Sequence, residues 1–275
     1  MKQPVRIVSF IAPEPEVKPP IPIGMDFLLP FSGGMKPARQ LIKRAPHRTV
    51  GAIHAPWFQP DPIHHESDLE AAVVRVLLLA PSLTRIQHQP ARIPYDDGSQ
   101  QRHHVPDYLV ELGDRQLIVE VKPERFVEQH RTKFDACADI LEARGVDYFV
   151  CTDGQVDKAR GERAGEMLQL ARMTADPGEL ADLLSWLTQQ GRACVRSAEA
   201  RGHSMPMLMH AVGRRLVATD PALRLAPDDW LLAKDSADEL SSFEQWLGCS
   251  AWRRERLHRL PSPPTRNHRD RSTGF

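Results

Sequence analysis

Residues 105–122 constrain the fold more than any other stretch of this sequence. Two runs rich in Val, Ile, Leu and Tyr flank a central Gly113-Asp114 pair. This pattern is typical of a β-hairpin with a two-residue loop. A loop at these two residues places Asp107 directly opposite Glu120 on the neighbouring strand.

The hairpin has two different faces, because successive strand residues point to opposite sides. The first face is apolar and consists of Tyr108, Val110, Leu112, Leu117, Val119 and Val121. The second face carries Leu109 and Ile118 in its middle and Asp107, Glu120 and Lys122 at one end. The sequence therefore predicts a core on one side and a charged cluster on the other.

The opposed carboxylates of Asp107 and Glu120 need a compensating charge. Cross-strand partners have Cβ atoms about 5 Å apart, and two like charges at about 5 Å repel by about 3 kcal/mol at an effective dielectric near 20. Favourable cross-strand pairs contribute only about 0.2–1 kcal/mol. A hard divalent cation such as Mg²⁺ would offset the repulsion, and Lys122 would help and would orient or deprotonate an attacking water.

Composition excludes several classes of protein. The 275 residues suit one large or two ordinary domains, and the formal net charge of zero gives no global signal for nucleic acid. The four cysteines show no CxxC spacing, which fits a reducing cytoplasm. The most apolar run, 71–80, contains Arg75 and is about half the length that spans a bilayer. We expect a cytoplasmic protein with no membrane partner.

Proline and charge patterns suggest four regions. Residues 1–65 hold 12 of the 24 prolines and a basic cluster, so they predict an extended arm. The cluster is either a solvated face or a phosphate-contacting segment. An α/β unit at 66–160 follows, then a mostly helical, winged-helix-like unit at 161–250, and a basic disordered tail at 251–275. A small helical domain for protein contacts is the alternative for the third region.

The unit around the hairpin predicts an α-β-β-β-α-β order and a mixed sheet with a helix on either side. Its first helix opens at Ser67 and ends before Pro81. Ser67 and Glu70 match the capping box, so local pattern alone assigns Glu70 to helix capping. The second helix is predicted over 125–144, and Gly145 ends it.

These motifs together resemble the TnsA endonuclease of heteromeric, cut-and-paste transposons. Pro106-Asp107 followed by Glu120-Val121-Lys122 is the PD-(D/E)xK nuclease pattern. The segments that add to the resemblance are Ser67-Asp68-Leu69-Glu70, Gln89-Pro90, Pro123, the stretch 149–153 and the basic stretch 44–48. The resemblance covers about residues 40–153 and implies a restriction-endonuclease-like α/β core.

The resemblance also implies roles for individual residues. Glu70, Asp107 and Glu120 would be metal-binding carboxylates for Mg²⁺, with Mn²⁺ as a substitute, and Lys122 the catalytic lysine. Some family members have glutamine where Glu120 stands. The implied partners are double-stranded DNA at the transposon ends, a TnsB-like transposase and a TnsC-like ATPase, which places the protein at the bacterial nucleoid. The C-terminal region would be a winged-helix-like domain that contacts partners.

Three functions compete at this point. The first is a Mg²⁺-dependent endonuclease subunit that cuts the 5′ ends of a transposon. The second is a stand-alone nuclease of the same fold, acting in restriction or repair. The third is a non-catalytic DNA-binding or scaffold subunit whose acidic pair is a satisfied surface cluster.

Overall fold

The computed structural model describes residues 49–113, 115–234 and 242–253. Its strands are β1 (Gly51–Ile53), β2 (Ile63–His65), β3 (Leu83–His88), β4 (Ile93–Asp96), β5 (Gln101–His104), β6 (Tyr108–Leu112), β7 (Arg115–Val121), β8 (Asp147–Cys151), β9 (Arg192–Cys194), β10 (Val217–Thr219) and β11 (Trp230–Ala233). Its helices are α1 (Asp68–Leu78), α2 (Arg131–Glu142), α3 (Lys158–Leu170), α4 (Pro177–Gln190), α5 (Val195–Ala200), α6 (Met205–Gly213) and α7 (Phe243–Leu247).

The hairpin of β6 and β7 has the predicted register. Leu112 pairs with Arg115 and Tyr108 pairs with Val119 across antiparallel strands. One further step along this register brings Asp107 opposite Glu120. The loop residue Gly113 has φ of 62°, a left-handed conformation that glycine adopts without strain.

A four-stranded mixed sheet in the order β3-β6-β7-β8 forms the centre of the nuclease-like region. Strand β6 is antiparallel to both of its neighbours, β3 and β7, and β8 is parallel to β7. One sheet face packs on α1 and α3, and the other packs on α2. The predicted α-β-β-β-α-β order and mixed α/β class are confirmed, with the two-stranded β4–β5 hairpin as an excursion between β3 and β6.

Helix α1 begins where its capping signal predicts. The Ser67 hydroxyl accepts a hydrogen bond from the Glu70 backbone N–H at 3.1 Å, and the Glu70 carboxylate accepts one from the Ser67 hydroxyl at 3.1 Å. Seven of its residues are buried in the core: Ala71, Ala72, Val73, Val74, Val76, Leu77 and Leu78. The helix ends shortly before Pro81, as expected.

Residues 49–65 differ from the extended arm predicted for them. Strands β1 and β2 form a small antiparallel hairpin that lies against α1 and β3. Ile53 and Ile63 enter the main core. The apolar residues of this segment explain the difference, because burying them stabilises folded structure between the prolines. The basic cluster at 36–48 lies outside the described residues.

Helix α2 is shorter than the helix predicted over 125–144. Two 3₁₀ turns, Glu124–Phe126 and Glu128–His130, precede it, and α-helical structure begins only at Arg131. The first turn is tied to the end of β8, because the Glu124 backbone N–H donates to Asp153 Oδ1 at 2.7 Å. Gly145, with φ of 69°, follows the helix end as predicted.

The C-terminal region contains the predicted helices at α4 and α6 and the predicted strands at β10 and β11. Helices α3, α5 and α7 and strand β9 were not anticipated. Strand β9 completes an antiparallel sheet in the order β10-β11-β9. Helices followed by a β-pair support a winged-helix arrangement, which stays a prediction. The predicted boundary at residue 160 lies within α3, and the basic tail beyond Arg253 lies outside the described residues.

Three close contacts join α1, α3, α6 and the segments that follow α1 and α6. A Cβ on Gly161 of α3 would lie 2.5 Å from the Ala72 Cβ, and one on Gly213 of α6 would lie 2.2 Å from the Met167 carbonyl oxygen. Arg215 donates to the carbonyls that follow α1, including that of Ala80 at 2.9 Å. Burial lowers the pKa of Arg215 to about 10.

In the described ranges, no helix combines the length and apolarity needed to cross a bilayer.

Candidate active site

The backbone fixes the position of Asp107 at the entrance of β6. Its Oδ2 accepts a hydrogen bond from the Val121 N–H at 2.8 Å, which ties the side chain to the end of β7. Its carbonyl oxygen accepts one from the Gln89 N–H at 2.7 Å. Asp107 is therefore held by both neighbouring strand ends.

Gln89 connects this strand end with the start of α1. It is 2% exposed and has φ of 47°, an uncommon value for a residue with a side chain. Its Nε2 donates to Glu66 Oε1 at 2.8 Å, and the Glu66 backbone N–H donates to Glu70 Oε2 at 2.6 Å. A continuous set of hydrogen bonds thus leads from Asp107 to Glu70.

Glu120 lies on β7 and is only 2% exposed. His104 Nε2 lies 2.9 Å from its Oε2. The Lys133 ammonium donates to its Oε1 at 3.2 Å. An ionised carboxylate only accepts hydrogen bonds, so His104 carries its proton on Nε2 in this contact.

The two opposed carboxyl groups have pKa values that shift in opposite directions. Burial raises the pKa of Asp107 well above its usual value, and the negative charges of Glu120 and Glu70 raise it further. For Glu120 burial also raises the pKa, but the His104 contact and the nearby lysines outweigh it and hold the value at about 2. The first proton taken up by the pair therefore resides on Asp107.

Glu70 both caps α1 and acts on the acidic pair. Its carboxylate accepts from the Ser67 hydroxyl and the Glu66 N–H. Burial raises its pKa, and the charges of Glu66 and Glu120 add to this shift. The capping interpretation is therefore correct, and the same side chain lies within electrostatic range of Asp107.

Lys122 lies beyond the end of β7 and is partly buried. Its backbone N–H donates to the Cys151 carbonyl at 3.0 Å. Its positive charge lowers the pKa values of both Asp107 and Glu120. The structure thus brings Glu70, Asp107, Glu120 and Lys122 into one electrostatically connected cluster.

Sequence reasoning missed the two basic residues that contact Glu120. His104 stands three residues before Asp107, and no local pattern predicts its contact with Glu120. Lys133 gave no local signal, because it lies on α2, 13 residues after Glu120 in the sequence. Only the three-dimensional placement of α2 reveals it.

The donor chemistry of this cluster fits a divalent cation. Hard cations such as Mg²⁺ prefer carboxylate oxygens, and added positive charge would relieve the repulsion that raises the pKa of Asp107. Within residues 49–113, 115–234 and 242–253, no three His, Cys, Asp or Glu side chains converge into a ready-made cation site. Protein donors hold the oxygens of Glu120 and Glu70 instead.

The fold and the position of the acidic cluster define the class of protein. A mixed sheet covered by helices on both faces, with carboxylates at the end of its central hairpin, is consistent with a restriction-endonuclease-like α/β fold.

Comparison with protein families narrows this class. Residues 80–153 match the family model described as TnsA-like endonuclease N terminal. The match includes Asp107, Glu120 and Lys122, whereas Glu70 precedes it. It supports a TnsA-like nuclease and suggests an association with a transposon. A comparison with curated proteins found no match.

Proposed function

We propose that this protein is the Mg²⁺-dependent endonuclease subunit of a heteromeric transposase and cuts DNA at the 5′ ends of a transposon. The observation that carries the proposal is the opposed Asp107/Glu120 pair beside Lys122 within the TnsA-like segment. A TnsB-like transposase and a TnsC-like ATPase are the proposed partners, and transposon-end DNA is the substrate.

Each residue of the cluster has a task in phosphodiester hydrolysis. Asp107 and Glu120, with Glu70, would hold Mg²⁺, which supplies a Lewis acid for the phosphate and activates water. The Lys122 ammonium orients the attacking water by donating a hydrogen bond to it, and the water releases its proton to solvent. The water oxygen forms a bond to phosphorus while the bond from phosphorus to the leaving ester oxygen breaks, and the leaving oxygen takes up a proton from solvent. The Val121 N–H keeps the Asp107 carboxylate oriented during this step.

Cleavage by single-residue variants tests this function. We expect Asp107→Ala and Lys122→Ala to lower Mg²⁺-dependent cleavage of transposon-end DNA by about 10²–10⁴-fold in a complex with the transposase and ATPase. Both variants should keep the cooperative thermal unfolding of the native protein. Lys158→Ala is the matched control, because Lys158 is an exposed lysine paired only with Glu162 at 3.7 Å on α3. Undiminished cutting by either site variant would refute the proposal.

The purified protein alone separates the competing functions. Efficient nicking of plasmid DNA with Mg²⁺ and no partners would favour the stand-alone nuclease. A calorimetric titration in which Mn²⁺ binding does not depend on Asp107 would favour the scaffold. We expect Mn²⁺ binding that Asp107→Ala removes, and cleavage that requires the partners.

A further inference from the structure

Two basic side chains occupy both oxygens of the Glu120 carboxylate. His104 approaches Oε2 from the end of β5, and Lys133 approaches Oε1 from the first turn of α2. The side chains of His104, Lys133 and Glu120 are 10%, 17% and 3% exposed. This contact is therefore largely shielded from water, unlike the ion pairs on the protein surface.

Lys133 is held at this position by more than its contact with Glu120. Its ammonium also lies 4.7 Å from the centre of the Phe134 ring. Phe134 is fully buried in the core between α2 and the sheet. The lysine thus reaches Glu120 from a rigid helix whose neighbouring residue is fixed by the core.

Such a buried carboxylate requires positive charge nearby, because removing one partner of a buried ion pair leaves an uncompensated charge. In the metal-free protein, the Lys133 ammonium supplies it, and His104 adds a hydrogen bond to the other oxygen. A divalent cation at Glu120 would bind one or both of the same oxygens, and an ammonium group at 3.2 Å from one of them repels it. The Lys133 ammonium and a divalent cation would therefore compete for the Glu120 carboxylate.

We propose that Lys133, together with His104, is a positioning residue that holds Glu120 ready in the metal-free protein and competes with the divalent cation for this carboxylate. The inference rests on the proposed function, since it assigns Glu120 to metal binding. When the divalent cation binds, it replaces the Lys133 ammonium at the Glu120 carboxylate. Glu120 stays compensated and oriented in both states.

The first test measures the contact in the absence of metal. Lys133→Met removes the charge and keeps an unbranched side chain. In the presence of a chelator, this variant should unfold at a lower temperature than the native protein. In a Glu120→Gln background the same change should have little or no effect, because the carboxylate is gone. Lys158→Met is the control and should leave the melting temperature unchanged in both backgrounds.

The second test measures metal affinity directly by calorimetric titration with Mn²⁺. Lys133→Met should bind Mn²⁺ about tenfold more tightly than the native protein, because a unit positive charge a few ångströms away is removed. Lys133→Arg keeps the charge and should retain the native affinity. Lys158→Met should also retain it.

The outcomes separate the two proposals. Native protein that binds no Mn²⁺ overturns the metal-dependent function and this inference with it. Native protein that binds Mn²⁺, with Lys133→Met binding equally or more weakly, overturns the competition and leaves the function standing. Equal destabilisation by Lys133→Met in both Glu120 backgrounds also overturns the inference. If Lys133→Met alone does not fold, the double variant Lys133→Met/Glu120→Gln should fold. A double variant that also fails to fold would overturn the inferred role of the Lys133–Glu120 contact.

Discussion

Replacing Asp107 by Asn should stabilise the metal-free protein. Asp107 and Glu120 lie opposite each other, so their charges at about 5 Å repel by about 3 kcal/mol at an effective dielectric near 20. Asparagine removes this repulsion and still offers an oxygen to the Val121 N–H. Its neutral oxygen is a weaker acceptor by about 1 kcal/mol, and the attraction between Asp107 and Lys122 is lost. The net gain is about 1–2 kcal/mol.

Thermal unfolding in a chelator measures this gain. One kcal/mol shifts the melting temperature of a protein of this size by about 2–4 °C, so Asp107→Asn should melt about 2–8 °C higher at about pH 8. The native protein binds the proton of Asp107 more tightly than the unfolded chain, because the pKa is raised on folding. Its stability therefore falls as pH rises from the unfolded towards the folded pKa.

The pH and metal dependence make this prediction specific. The advantage of Asp107→Asn should shrink towards zero at about pH 3, where the carboxyl group is largely protonated in both states. Added Mg²⁺ should raise the melting temperature of the native protein more than that of the variant. A variant that is less stable than the native protein at about pH 8 in chelator would refute the electrostatic argument.

Two further predictions concern the contacts between α1 and the C-terminal helices, and both are measured by urea unfolding. Gly161→Ala should destabilise the protein by about 1–3 kcal/mol because its Cβ would overlap Ala72, whereas Gly165→Ala on the same helix has room and should be neutral or stabilising by up to about 1 kcal/mol. Equal effects would contradict the close approach. Arg215→Met should cost about 2–3 kcal/mol because it leaves three backbone carbonyls without their charged donor; unchanged stability would show that those bonds contribute nothing net.

The hairpin register could be predicted from sequence because its determinants are local. Gly113 favours a tight turn, and the alternation of side chains on both strands then allows one register only. That register also placed Asp107 opposite Glu120, so the first part of the candidate site followed from a single turn. The capping box of α1 is a similarly local signal and predicted the helix start.

The remaining parts of the site depend on contacts distant in sequence. Lys133 reaches Glu120 only because α2 begins after two 3₁₀ turns, which periodicity over 125–144 did not reveal. Gln89 links Asp107 to the start of α1 through a left-handed backbone conformation that its residue type does not favour. Neither feature has a sequence signal of its own, since each is imposed by neighbouring elements.

The glycines that let α1, α3 and α6 approach also limit how this protein can be recombined with its relatives. Gly161 meets Ala72 and Gly213 meets the Met167 backbone without space for one additional methyl group. A chimera that exchanges the C-terminal region must therefore carry matching small residues on all three helices. Exchange at residue 160 would cut through this matched surface, so a chimera should take α1, α3 and α6 from the same parent protein.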